Sequence, residues 1–148
     1  MAVIEHKVNI SRPVTDVFRF VSDFSNNPKW QPDSIRLERA GQLKLGEMVV
    51  GQQRLMGRMV HVNADVVDYG PNQIIAYTGI MGSYPFRTTY RFAFGSGGTE
   101  LTQTMDVRIS WLFFWARPFV VSSLDSQMRT ALDNLKNYMN AHKDRGSA

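Results

Sequence analysis

The feature that most constrains this chain is a change of period. From Asp33 to Ser110 apolar and polar residues alternate in twos; from Pro118 to His142 apolar residues return at helical spacing. The alternating stretch predicts six strands, at about 34–40, 47–56, 59–68, 73–80, 85–94 and 99–110. Each gap carries a turn signal: Gly41 to Gly46, Gly57, Gly70-Pro71-Asn72, Gly79 to Ser83, and Gly95-Ser96-Gly97-Gly98. Consecutive strands with short turns make an antiparallel meander. The clearest alternations are Val60/Val62/Ala64/Val66, Phe86/Thr88/Tyr90/Phe92/Phe94 and Leu101/Gln103/Met105/Val107/Ile109. Arg87, Arg91, Glu100, Asp106 and Arg108 occupy the other parity, so one face of the sheet is apolar and the other wet.

The last quarter traces an apolar stripe through Val121, Leu124, Met128, Ala131, Leu132, Leu135, Tyr138 and Met139. Asp125/Arg129 and Asp133/Lys136 are spaced for ion pairs on the opposite side. A helix over 118–142 would be roughly 37 Å long at 1.5 Å per residue. Basic residues near its end (Lys136, His142, Lys143, Arg145) suit the helix dipole, and Gly146 is a stop signal.

The chain opens with one more half-buried strand, Met1 to Ile10, with Ile4, His6, Val8 and Ile10 on one face. Ser11 is a helix cap and Pro13 fits a first turn; Val14, Val17, Phe18 and Val21 follow at helical spacing. A second short turn is expected from Ser25 to about Lys29, ended by Trp30-Gln31-Pro32. The order is therefore strand, two short helices, six strands and a long helix. The helix needs an apolar surface and the meander offers only one. The expected fold is α+β, a curved seven-stranded antiparallel sheet gripping the C-terminal helix with a cavity between them. Residues 1–148 are expected to form one domain.

Composition removes several function classes. There is no Cys, which excludes a disulfide scaffold, a thiolate metal site and a Cys nucleophile. A reducing cytoplasm is the simpler expectation for location. The net charge is +4, but the basic residues are scattered rather than striped, so no nucleic-acid partner is expected. No signal-peptide pattern opens the chain, and the longest apolar run, 111–121 with Arg117 inside it, is far short of a bilayer span. Paired metal-spaced His, HExxH, GxSxG, P-loop and GxGxxG patterns are all missing, so neither a metal nor another cofactor is expected.

The segment Ile10-Ser11-Arg12-Pro13-Val14-Thr15-Asp16-Val17-Phe18-Arg19-Phe20-Val21-Ser22-Asp23, followed by Asn27-Pro28-Lys29-Trp30-Gln31-Pro32, resembles the Bet v 1-like helix-grip proteins, the START or SRPBCC superfamily. Gly97-Gly98-Thr99-Glu100-Leu101-Thr102 resembles that superfamily's last hairpin, and Leu132 to Met139 its closing helix. Within it the chain is most similar to the polyketide cyclase/dehydrase and lipid-transport group. The resemblance covers nearly the whole chain. It implies a hydrophobic small-molecule ligand, since some members cyclise or dehydrate polyketides and many bind lipids or hormones. These motifs do structural jobs, so fold does not by itself decide activity.

The expected cavity lining is Phe18, Trp30, Val62, Tyr90, Phe92, Gln103, Leu124, Met128 and Leu132. His6 is either an acid/base group or a structural hydrogen-bond partner. Gln103 is either a polar anchor for a ligand or a structural amide, and strand adjacency should bring it near His6. Parity places Tyr90, Thr88 and Thr78 inward and leaves Tyr77 outside unless a bulge intervenes. The methionines suit an adaptable pocket, or equally an ordinary core. Trp111-Leu112-Phe113-Phe114-Trp115-Ala116-Arg117-Pro118-Phe119 holds more aromatics than a connection needs. It is an entry lip formed by Trp111, Phe113, Phe114 and Trp115, an oligomer contact, a shallow membrane contact with Arg117 meeting lipid phosphate, or a cover for the end of the core.

Three functions follow. The first is a binding protein for a hydrophobic, lipid- or polyketide-like molecule. The second is a cyclase or dehydratase with His6 as base and Tyr90 and Gln103 orienting a carbonyl. The third is a protein- or quinone-associated interaction domain. Monomer and dimer are both open.

Overall fold

A computed structural model describes residues 2–32, 35–37, 44–95 and 97–141. The first strand, β1 (Ala2–Ile10), alternates as its sequence requires, with Ala2, Ile4, Val8 and Ile10 buried. Two short helices follow, α1 (Val14–Ser22) and α2 (Asn27–Trp30), the latter preceded by a single 3-10 turn. The meander comprises β2 (Ile35–Leu37), β3 (Met48–Leu55), β4 (Arg58–Gly70), β5 (Ile74–Met81), β6 (Tyr84–Gly95) and β7 (Gly98–Val107). A 3-10 segment (Trp111–Ala116) leads into the long helix α3 (Arg117–Ala141). All strand pairings are antiparallel and the sheet order is β1-β7-β6-β5-β4-β3-β2. The first strand therefore returns to pair with the last, and the six meander strands follow in sequence. The seven-stranded helix-grip architecture is the one expected.

Turn chemistry sets the register. Leu55 pairs with Arg58 across Met56-Gly57, both at positive φ, the geometry of a two-residue hairpin loop. At the last hairpin Gly97 has φ +80°, and Gly98 faces the chain at the β1–α1 junction. A Cβ at Gly98 would collide with the carbonyl oxygen of Ile10 and sit 2.9 Å from the amide of Arg12. Thr99 Oγ1 then donates to the carbonyl of Arg12 at 2.7 Å. The Gly97-Gly98-Thr99 run thus locks the start of β7 to the end of β1.

The helix α3 presents Val120, Leu124, Met128, Ala131, Leu132, Leu135 and Met139 to the sheet, all buried. Its C-terminal turns are tied to the β1–α1 junction, where Arg12 donates to the carbonyl of Met139 (3.3 Å) and the Ser11 amide to Asn140 Oδ1 (3.0 Å). Arg12 also pairs with Asp16, at 3.1 Å. Phe18 from α1 packs edge-on against Tyr69 and Phe92, with ring centroids 5.5 and 5.1 Å away.

Several local expectations change. Helix α1 begins one residue after Pro13, which takes the cap position, while Ser11 serves α3 instead. Phe94 is 89% exposed, because the β6–β7 hairpin runs past the end of the core. Thr78 faces solvent and Tyr77 faces the core. The reason is the tight Gly82-Ser83 turn, which pairs Met81 with Tyr84 and hence Tyr77 with Thr88. Met81, Met105, Met128 and Met139 are core residues, but Met48, Met56 and Met59 are exposed. Strand β2 is shorter than the predicted 34–40, whose remaining residues lie outside the described ones, as do His142, Lys143, Arg145 and Gly146.

Candidate functional site

Between the sheet and α3 lies a chamber of about 30 Å³, room for roughly two waters. Its walls are Val62 from β4, Tyr77 from β5, Phe86, Thr88 and Tyr90 from β6, and Gln103 and Met105 from β7. Leu124, Met128 and Ala131 from α3 close it, with Gln31 after α2 and Gln53 on β3 at one side. It is apolar in its bulk and polar at one end.

Of the nine residues expected to line a cavity, Val62, Tyr90, Gln103, Leu124 and Met128 do. Phe18, Phe92 and Leu132 are buried elsewhere in the core. Trp30 stands behind the wall, edge-on to Tyr90 with ring centroids 6.3 Å apart. The expected lining left out Phe86, Thr88, Met105 and Ala131, which share the apolar faces already read from the sequence, and missed Tyr77, Gln31 and Gln53 altogether. The signal for Tyr77 was the two-residue turn at Gly82-Ser83; for Gln53 it was its parity with Val49 and Leu55, both buried.

The polar end is made of neutral groups. The Tyr77 and Tyr90 hydroxyls hydrogen-bond to each other, and Gln31 also hydrogen-bonds to Tyr90. Burial pushes the Tyr90 hydroxyl up to about 12 against those two bonds. Burial pushes Tyr77 well above the usual tyrosine range, and the neighbouring Tyr90 adds to it. Both phenols therefore stay protonated and act as hydrogen-bond donors near neutral pH. Around them Thr88 Oγ1, Gln103 Oε1 and Gln31 Oε1 are buried with no hydrogen-bond partner among the described residues. Such atoms are rare in folded proteins, because each costs about 1–3 kcal/mol if left unpaired.

Gln53 and Gln127 bridge β3 to α3 beside the chamber. Gln53 donates to Gln127 at 3.4 Å, and Gln127 donates to the Arg54 carbonyl at 2.6 Å and to Ser123 at 3.0 Å.

His6 and Gln103 are direct cross-strand partners, as adjacency implied. The histidine nevertheless does not line the chamber. Its Nε2 lies 2.7 Å from Asp125 Oδ1 on α3, and Asp125 also pairs with Arg129 at 3.4 Å. Of the residues proposed for chemistry, the structure brings Tyr90 and Gln103 together and leaves His6 outside them.

The aromatics expected at a cavity entrance, Trp111, Phe113, Phe114 and Trp115, are exposed on the 3-10 segment, and none of them lines the chamber. Among the described residues no helix is long and apolar enough to cross a membrane, and no cluster of three or more His, Asp or Glu is placed to hold a metal ion.

A curved antiparallel sheet closed by one long helix, with a mainly apolar chamber between them, defines a helix-grip protein of the Bet v 1-like type. The chain belongs to the polyketide cyclase / dehydrase and lipid transport family, whose model matches residues 1–140. Its fold is shared with TTHA0849 from Thermus thermophilus (TM-score 0.78, 16% identity, covering 95% of this chain and 98% of that one). Protein CV1439 from Chromobacterium violaceum is similar (TM-score 0.74, 16% identity, 93% and 96% covered). So is MLL2253 from Mesorhizobium loti (TM-score 0.72, 12% identity, 95% and 98% covered). No curated protein matches the chain.

Proposed function

We propose that this protein holds an apolar small molecule carrying a carbonyl or hydroxyl group, with its polar end against Tyr90 and Gln103 and its apolar part along Val62, Leu124 and Met128. The observation that carries this reading is the set of three unpartnered buried oxygens, on Thr88, Gln103 and Gln31, facing one otherwise apolar chamber. A ligand hydroxyl would donate to those oxygens, and a ligand carbonyl would accept from the tyrosine pair. Family membership supports a hydrophobic ligand of this general kind.

Anything larger than two waters requires the walls to give. Met105 and Met128 are unbranched and reshape at low cost. The Gln53–Gln127 contact is long, at 3.4 Å, and the shorter Gln127 bond to the Arg54 carbonyl, at 2.6 Å, must part with it. Entry between β3 and α3 breaks side-chain bonds without breaking a strand ladder.

Holding is favoured over turnover. A cyclase or dehydratase needs a proton acceptor at the reacting carbon. The titratable groups among the described lining residues are Tyr77 and Tyr90, both kept protonated by burial, and His6 is turned toward Asp125. Native mass spectrometry of the purified protein, before and after solvent extraction, tests the proposal. A co-purifying mass lost on extraction, together with saturable uptake of an apolar dye by the extracted protein, supports holding. A protein that takes up neither dye nor fatty acyl chains overturns it.

A further inference from the structure

We propose that the 3-10 segment between β7 and α3 docks this protein onto the surface of an anionic lipid bilayer. The relative exposures of Trp111, Leu112, Phe113, Phe114 and Trp115 are 78%, 59%, 49%, 72% and 62%. A core cover would bury them, and a run of this size in water signals a partner. The segment is not loose: Ser110 caps it by accepting from the Leu112 amide, and Ala116 and Val120 anchor its far end in the core.

The pattern of exposure indicates the kind of partner. The segment is two short turns joined by a kink at Phe113 (φ −116°), and five consecutive side chains along it are exposed, so they do not form a single helix face. A protein groove receives one face of a helix; a fluid apolar layer receives all of them. Tryptophan at both ends of the run suits the headgroup boundary, where an apolar ring and an N–H are both accommodated.

Charge selects the lipid. No Asp or Glu lies between Asp106 and Asp125, whereas Arg108 and Arg117 flank the segment and both are exposed. On the outer face of the sheet, Arg87 and Arg108 border a surface groove of about 350 Å³ with Thr78, Pro85 and Asp106. The Arg108 amide bonds to the Pro85 carbonyl at 2.9 Å, which places this groove at the same end of the molecule as the aromatics. Rings for the acyl boundary and guanidinium groups for phosphate thus share one end of the protein. None of the residues 111–115 lines the chamber, and this inference does not depend on its occupant.

The intrinsic reporters are already in place. Of three tryptophans, Trp30 is buried and Trp111 and Trp115 are exposed, so an emission shift reports the segment. With phosphatidylcholine vesicles containing phosphatidylglycerol, emission should move to the blue and brominated acyl chains should quench it. Leu112→Ser/Phe114→Ser keeps both reporters and should weaken vesicle binding by about ten-fold or more, as loss of two buried side chains implies. Arg87→Gln/Arg108→Gln should weaken binding to the anionic vesicles and leave binding to pure phosphatidylcholine unchanged. Both variants should melt with the wild type. The proposal is overturned if vesicles containing phosphatidylglycerol leave the emission unmoved. It is overturned equally if the Leu112/Phe114 variant loses several degrees of melting temperature, which makes the segment core. A blue shift with rising protein concentration alone, accompanied by dimers in sedimentation, would assign the surface to a second copy of the chain instead.

Discussion

His6 Nε2 and Asp125 Oδ1 lie 2.7 Å apart and join the edge strand β1 to the middle of α3. The contact spans 119 residues of sequence and fastens the gripped helix to the sheet beside the chamber. Because both side chains are partly exposed, a contribution of about 1 kcal/mol at most is expected from it. His6→Ala should therefore lower the melting temperature by a few degrees and leave uptake of an apolar dye unchanged. Loss of dye uptake in a variant that still melts cooperatively would put His6 back into the site.

Gln103 separates a structural amide from a ligand anchor. Its Oε1 is buried without a partner among the described residues, so Gln103→Leu removes a desolvated polar atom at little cost in volume. The variant should be as stable as the wild type, or more stable by about 1 kcal/mol, while binding a hydroxylated apolar ligand about five- to ten-fold more weakly. Thermal melts and dye displacement check the two halves. Lost stability with unchanged binding would make the amide structural.

Alkaline titration tests the tyrosine pair. Burial raises Tyr90 to about 12, and Tyr77 shifts in the same direction. Between the ordinary tyrosine value of 10.0 and about 12 the unfolded chain releases these protons and the folded chain keeps them. Folding stability is therefore full below the lower limit and falls as pH rises through the window. Absorbance of tyrosinate should show Tyr77 and Tyr90 appearing late, together with unfolding. Tyr77→Phe should remove part of that late step.

Gly98→Ala tests the lock between β7 and β1. The added Cβ meets backbone rather than a flexible side chain, so the β1–α1 junction must shift. A loss of about 2–4 kcal/mol is expected, in the range of severe backbone substitutions. Denaturant unfolding measures it.

The periods of two and 3.6 residues determined by themselves that this chain forms a meander and a long amphipathic helix. The spacing of Leu124, Met128, Leu132 and Leu135 named the buried stripe, because helix periodicity is a local property. The Gly57 turn was legible for the same reason. Tertiary structure decided what period alone leaves open. Tyr77 faces inward because one tight turn fixes its pairing with Thr88, and a change of one residue in that turn would have turned it to solvent. His6 has the parity of a chamber residue, yet the position of α3 gives it to Asp125. Phe94 alternates like a core residue and ends beyond the core, since a strand's pattern does not state where the opposing helix stops. The chamber is of this second kind. Its size and its three unpartnered oxygens depend on how closely α3 approaches the sheet, and that distance is set by all the packed side chains together rather than by any one segment of sequence.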